Sequence, residues 1–138
     1  GYSKNWINQR LKSIEISKDL TDEWETRGVS QGDEFAILTD DITFAWAGMK
    51  TKHYKKHKGL KKENLRDNMT NLELVLNMLA EVSTTEISKK VQPENLIQNR
   101  QVAREGGNIA GSARRKLEKK TGKKAITRLN AKGLKLIK

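Results

Sequence analysis

The strongest constraint on the fold lies at residues 70–82, where a helix-start motif precedes a dense set of apolar residues. Thr70 and Glu73 have the spacing of a capping box, in which each side chain hydrogen-bonds a backbone N–H at the start of a helix. The apolar residues that follow are Leu74, Val75, Leu76, Met78, Leu79 and Val82. They cover much of a helix's circumference, so we predict that this helix is the central one.

The N-terminal segment also has helical spacing. Ser3 is an acceptable N-cap, and the residues that then share one helical face are Ile7, Leu11 and Ile14, with Leu20 and Trp24 as the next such pair. Trp6, Trp24 and Trp46 are expected to lie in the core instead of stacking on bases. The pattern allows one helix as far as Arg27 or a second helix starting at Thr21. In either case Gly28 can supply the left-handed residue that ends it.

Two further helices are predicted before residue 60. The first has an apolar face formed by Phe35, Leu38, Ile42 and Trp46. The second is a short helix from Thr51 to Lys58, closed by Gly59.

The C-terminal third is also predicted to be helical. Pro93 suits a first helical turn, where its missing N–H is not needed. Residues 102–120 continue as helix, and Gly122 ends it. Gly106-Gly107 is either a helix break or part of a small-residue face, with Ala103 and Gly111, on which another helix packs closely.

These patterns predict an all-α single domain, a compact bundle of about five to six helices over residues 1–122. Residues 123–138 hold six Lys or Arg and no acid, a composition typical of a disordered basic tail that binds polyanions. The chain opens without an initiator Met, so we expect the C-terminal domain of a longer protein whose N-terminal module is absent.

Composition excludes several classes of site. The chain has no Cys, which removes disulfides, thiolate chemistry and the usual structural zinc sites. We find no apolar run of the ~18 residues needed to span a membrane and no signal peptide, so we expect a cytoplasmic protein without a membrane partner. We also expect no cofactor, no metal site and no enzymatic activity, because both histidines lie among lysines and the chain has no Cys. The enzymatic alternative is a metal-dependent nuclease that uses only the carboxylates of Glu34, Asp40 and Asp41.

Charge is concentrated in two segments. Residues 50–66 hold eight Lys or Arg and one Glu, and residues 114–138 hold eleven and one. These two basic segments, which we call the basic islands, attract an oppositely charged partner. They favour nucleic acid as the partner, and DNA is preferred to RNA. The candidate phosphate contacts are Lys50, Lys52, Lys55, Lys56, Lys58, Lys61, Lys62, Arg66, Arg114, Arg115, Lys119, Lys123 and Lys124, with His53, Tyr54 and His57 as auxiliary contacts.

Several of these residues, and some others, also have alternative interpretations. His53 and His57 have the i, i+4 spacing of a zinc pair, but the surrounding lysines repel a divalent cation. Tyr54 either stacks on a base or anchors its helix to the core. Gly106-Gly107 lacks the Lys-Ser/Thr ending of a phosphate-binding loop, and no His or Lys beside Asp40-Asp41 suggests proton transfer.

A family resemblance extends over most of the chain, from Glu34 to Lys123, and Lys58–Met69 is its most specific part. The runs Glu34–Asp40, Ala45–Met49 and Lys58–Met69 resemble the C-terminal domain of phage antirepressor-type proteins, the region after a BRO-N or KilA-N module, and of DNA-damage-inducible protein D. The resemblance implies a bacterial or prophage regulator linked to the SOS response, and it supplies no catalytic residue.

The functional hypothesis is therefore a nonenzymatic accessory domain of a mobile-element or damage-response regulator that contacts nucleic-acid phosphates through lysines. The alternative is a domain for protein interaction or oligomerisation. In that case the basic islands bind an acidic repressor or recombinase surface, or the face at Gly107 and Gly111 drives self-association.

Overall fold

The computed structural model describes residues 2–136, and the side chains of residues 2–133. This part of the chain contains helices and no strand. The elements are α1 (Lys4–Thr26), α2 (Asp33–Ala47), α3 (Thr51–His57), a 3₁₀ turn (Arg66–Asn68), α4 (Asn71–Val91), α5 (Leu96–Thr121) and α6 (Ala131–Leu136). The all-α bundle is confirmed. None of these helices has both the length and the apolar content to cross a membrane.

Helix α4 is central, as its sequence predicts, but of the six apolar residues only Leu74, Leu76 and Met78 are buried, and the other three are 37–43% exposed. The capping box forms, since Glu73 N donates to Thr70 Oγ1 over 3.2 Å and Thr70 N donates to a Glu73 carboxylate oxygen over 3.0 Å. Helix α4 packs against α1, α2 and α5. Helix α1 runs parallel to α4. Trp6 Nε1 donates to Met69 O where both helices begin, and Ser88 Oγ donates to the Glu23 carboxylate near their C-terminal ends.

Glycines let α5 approach its two neighbours closely. A Cβ added at Gly106 would lie 2.0 Å from Thr84 Oγ1 of α4, and one at Gly107 would lie 2.6 Å from Ala45 Cβ of α2. The helix is continuous through both positions, so the close-packing prediction is confirmed and the helix break is wrong. Gly111 also faces α2, so this face is already covered and self-association through it is wrong.

The predicted core face of α1 is wrong in its N-terminal half and correct at Leu20 and Trp24. Ile7, Leu11 and Ile14 are 44–58% exposed, whereas Trp6, Leu20 and Trp24 are buried. The helix has two overlapping stripes, and the tryptophan stripe faces α4 because the Trp6 indole fills the core and donates a hydrogen bond there. Helix α1 is one helix, and Gly28 after it has φ of 79°.

The start of α5 lies later than predicted. Pro93 belongs to the connection after α4, and α5 begins at Leu96. Asn95 is the cap, and its side chain accepts a 2.9 Å hydrogen bond from Gln98 N. The Asn95 side chain accepts from a backbone N–H that has no acceptor within the first helical turn, so the helix starts directly after Asn95. Gly122 ends α5 as predicted.

The segment after α5 contacts the bundle instead of forming a free arm over residues 125–131. Ala125 and Ile126 are buried, and Ala125 N donates to Glu118 over 2.9 Å. Asn130 Nδ2 donates to Lys58 O over 3.0 Å. Apolar burial and backbone hydrogen bonds therefore outweigh the basic composition here. The remainder of the predicted tail, from residue 134, lies outside the described side chains.

Candidate nucleic-acid interface

Helix α3 presents lysines because its one large aromatic residue faces inward. Tyr54 is fully buried and meets Trp46 of α2 edge to face, with ring centroids 5.9 Å apart. This contact fixes the rotation of the short helix. Lys52, His53 and Lys56 are exposed as a result, and Lys55 is half-buried.

These side chains line a groove between α2, α3 and the following loop, which we call the α3 groove. Its volume is about 830 Å³, and its lining residues are Ala36, Thr39, Asp40, Thr51, Lys52, His53, Lys55, Lys56, Leu60 and Lys61. Asp40 is the only acid among them, and its carboxylate accepts the Thr51 N–H over 3.2 Å. The groove therefore combines four lysines and a histidine with one carboxylate, a charge pattern suited to an anion.

Lys58 and Tyr54 do not belong to this surface, and both predicted contacts are wrong. Lys58 is buried, and its Nζ lies 2.7 Å from Glu73 Oε1 and 2.5 Å from Leu129 O. The Tyr54 hydroxyl donates to the same Glu73 carboxylate. Burial lowers the pKa of Lys58, which the Glu73 contact partly offsets, and burial raises the pKa of Tyr54. Both side chains have a structural role.

Arg66 is also engaged within the protein. Its Nη2 lies 2.9 Å from Glu81 Oε2 on α4, and its Nη1 donates to Ser17 Oγ on α1. Its neighbour Asp67 pairs instead with Arg10 of α1 over 2.8 Å. Arg66 therefore joins the 3₁₀ turn to two helices, and its predicted phosphate contact stays a prediction.

A second groove lies between α2 and α5, and we call it the arginine groove. Its volume is about 570 Å³, and its lining residues are Asp41, Phe44, Ala45, Gly48, Lys50, Arg100, Arg104, Asn108, Arg114 and Arg115. Arg114 is held in place, since its Nε donates to Trp46 O over 2.7 Å and its Nη1 to Glu118 over 2.9 Å. Asp41 is the only acid in the lining.

The remaining predicted residues lie elsewhere. Of these, Lys62, Lys119, Lys123 and Lys124 are exposed and His57 is half-buried, and none of them lines either groove. Conversely, sequence reasoning missed Phe44, Arg100, Arg104 and Asn108. The sequence did contain a pattern that indicates a shared polar face on α5. Residues at helical spacing on that face are Arg100, Arg104, Asn108, Gly111 and Arg115.

The acidic residues considered for metal chemistry have other partners. Asp41 forms two hydrogen bonds with Arg100, of 2.8 and 3.2 Å. Asp40 accepts the Thr51 N–H, and Glu34 accepts the Ser30 N–H. Among the side chains of residues 2–133, no group of three or more His, Asp or Glu is placed to hold a metal ion.

Comparison with known proteins identified no relative of this chain. No protein-family model, no curated protein and no solved structure matches the chain. The resemblance to antirepressor-type domains therefore stays a prediction from the sequence, and the grooves themselves carry the functional argument.

Proposed function

We propose that this chain is a nonenzymatic domain that binds nucleic acid, DNA before RNA, through phosphate contacts from the α3 groove. The supporting observation is the convergence of Lys52, Lys55, Lys56 and Lys61 on one groove with a single carboxylate. Phosphate contacts carry no direct sequence information, so binding through them should depend weakly on base sequence. The resemblance to regulators of mobile elements and of DNA damage is compatible with such a role.

Salt dependence is the most direct test, because each cation that neutralises a phosphate releases a condensed counterion. We propose fluorescence-anisotropy titrations with labelled DNA from 50 to 200 mM salt, on the wild type and on a variant with Lys52, Lys55, Lys56 and Lys61 changed to Ala. If all four contact phosphates, the slope of log K against log salt becomes shallower in the variant by about 3.6 for duplex DNA or about 2.8 for a single strand.

A matched variant separates local contacts from net charge. Lys4, Lys12, Lys89 and Lys90 are exposed and line neither groove, so changing them to Ala removes the same four charges elsewhere. This control should keep the wild-type slope. Equal slopes in the two variants would refute the α3 groove as the site. No DNA binding at 50 mM salt would favour the alternative, an acidic protein partner on the same surface.

A further inference from the structure

The two grooves adjoin along the exposed side of α2. Asp40 lines the α3 groove and the next residue, Asp41, lines the arginine groove. At the start of α3, Lys50 lines the arginine groove and Thr51 lines the other. One chain-like ligand lying across α2 can therefore reach both grooves.

Some cations of the arginine groove are held by other protein groups, and others are free to bind a ligand. Asp41 binds the Arg100 guanidinium through two hydrogen bonds, and Arg114 is held by Trp46 O and Glu118. Arg104 is more exposed, with its Nη2 4.0 Å from Asp41. Lys50 and Arg115 make no ion pair with any side chain of residues 2–133. Of the five cations in the lining, Arg100 and Arg114 are each paired with a carboxylate, so the other three leave an excess of positive charge that suits a phosphate group.

An aromatic ring lies exposed among these cations. Phe44 is 56% exposed, although Leu38, Ile42 and Trp46 of the same helix are almost completely buried. A single exposed apolar side chain is ordinary by itself. Phe44 differs because its ring lines a groove with four arginines, where a flat ligand can stack on the ring while its charge meets guanidinium groups.

We propose that the arginine groove takes one unpaired nucleotide of single-stranded nucleic acid, with its base stacked on Phe44 and its phosphate bound by Arg104 and Arg115. This inference rests on the proposed function and names the form of nucleic acid. Bases in a duplex are stacked on one another and cannot offer a face to Phe44, whereas single strands can. The groove volume of about 570 Å³ lies within the ~300–1,000 Å³ typical of small-ligand sites.

The test compares affinities for a labelled single-stranded DNA and for the duplex of the same length, at one salt concentration. The wild type should prefer the single strand. Phe44→Leu keeps an apolar side chain but removes the aromatic face, so it should lower that preference by about 10-fold, within the range measured for loss of one base stack. Phe44→Trp should retain the preference. Ile97→Ala, which shortens an exposed side chain outside both grooves, is the matched control and should leave the preference unchanged.

A second variant tests the cations. Asp41→Asn releases Arg100 from its ion pair, so single-strand affinity should rise and the salt slope should steepen by about 0.7. Arg104→Ala with Arg115→Ala should weaken single-strand binding.

Two outcomes would overturn the inference in distinguishable ways. If DNA binds and depends on the α3-groove lysines, but Phe44→Leu leaves the preference for single strands unchanged, the nucleotide site is wrong and the proposed function stands. If neither DNA form binds at 50 mM salt, the proposed function fails and the inference fails with it.

Discussion

Replacing Glu73 with Gln should destabilise the fold strongly, because it removes one charge of a completely buried ion pair. The Glu73 and Lys58 side chains are both completely buried, and their charged atoms lie 2.7 Å apart. The same carboxylate accepts hydrogen bonds from the Tyr54 hydroxyl and from Thr70 N. One side chain thus joins α3 to α4, and through Lys58 it also holds Leu129 O of the C-terminal segment.

The expected magnitude follows from burial. Removing one partner of a buried ion pair costs about 3–5 kcal/mol, because the other charge stays without water or a counterion. Gln keeps one oxygen that can accept from Lys58 or Thr70, so the loss should fall near the lower end, about 3 kcal/mol. For a chain of this length that corresponds to a decrease in Tm of roughly 10–15 °C.

The assay is urea unfolding followed by far-UV circular dichroism, on Glu73→Gln, Lys58→Met and the double variant. Glu86→Gln, an exposed position on the same helix, is the control and should change stability by less than about 0.5 kcal/mol. The double variant should cost less than the sum of the single changes, because it removes both buried charges. A loss below about 1 kcal/mol for Glu73→Gln, or strictly additive effects, would refute the reasoning.

Two further predictions concern packing and pH. Gly106→Ala should destabilise the fold by about 1–3 kcal/mol or more, measured as a lower urea midpoint, because its Cβ would lie 2.6 Å from the Thr84 backbone N; an unchanged midpoint would contradict the close packing of α5 on α4. Burial raises the pKa of Tyr54, so above pH 10 the folded state keeps a proton that the unfolded state loses, and stability should fall by up to about 1.4 kcal/mol per pH unit. Tyr54→Phe should fall less steeply between pH 9 and pH 11, and parallel curves for the two proteins would contradict this assignment.

Features that depend on near neighbours in the chain could be predicted from the sequence. The capping box at Thr70 and Glu73 and the helix ends at Gly59 and Gly122 each require residues within a few positions of one another. Helical spacing alone did not decide which side of α1 is buried. Ile7 and Trp6 start two overlapping stripes, and only the position of α4 selects between them.

The candidate site was predictable in part for a similar reason. The exposure of Lys52 and Lys56 follows from a short helix with one inward aromatic residue. The burial of Lys58 does not follow from its neighbours, because it depends on Glu73, fifteen residues later, and on Leu129. A charge pair between two helices cannot be predicted from a local sequence pattern.

Charge density along the chain therefore differs from charge density on the folded surface. Lys58 and Arg66 belong to the most basic segment, yet each is bound to a glutamate of α4. Arg100 and Arg104 come from residues 67–113, which hold six Asp or Glu and four Lys or Arg, yet α5 places them in a groove beside Lys50. The surface that a polyanion would meet is thus assembled by the packing of α3 and α5 on either side of α2. Variants chosen from this geometry should reduce binding more than variants chosen from the lysine count alone.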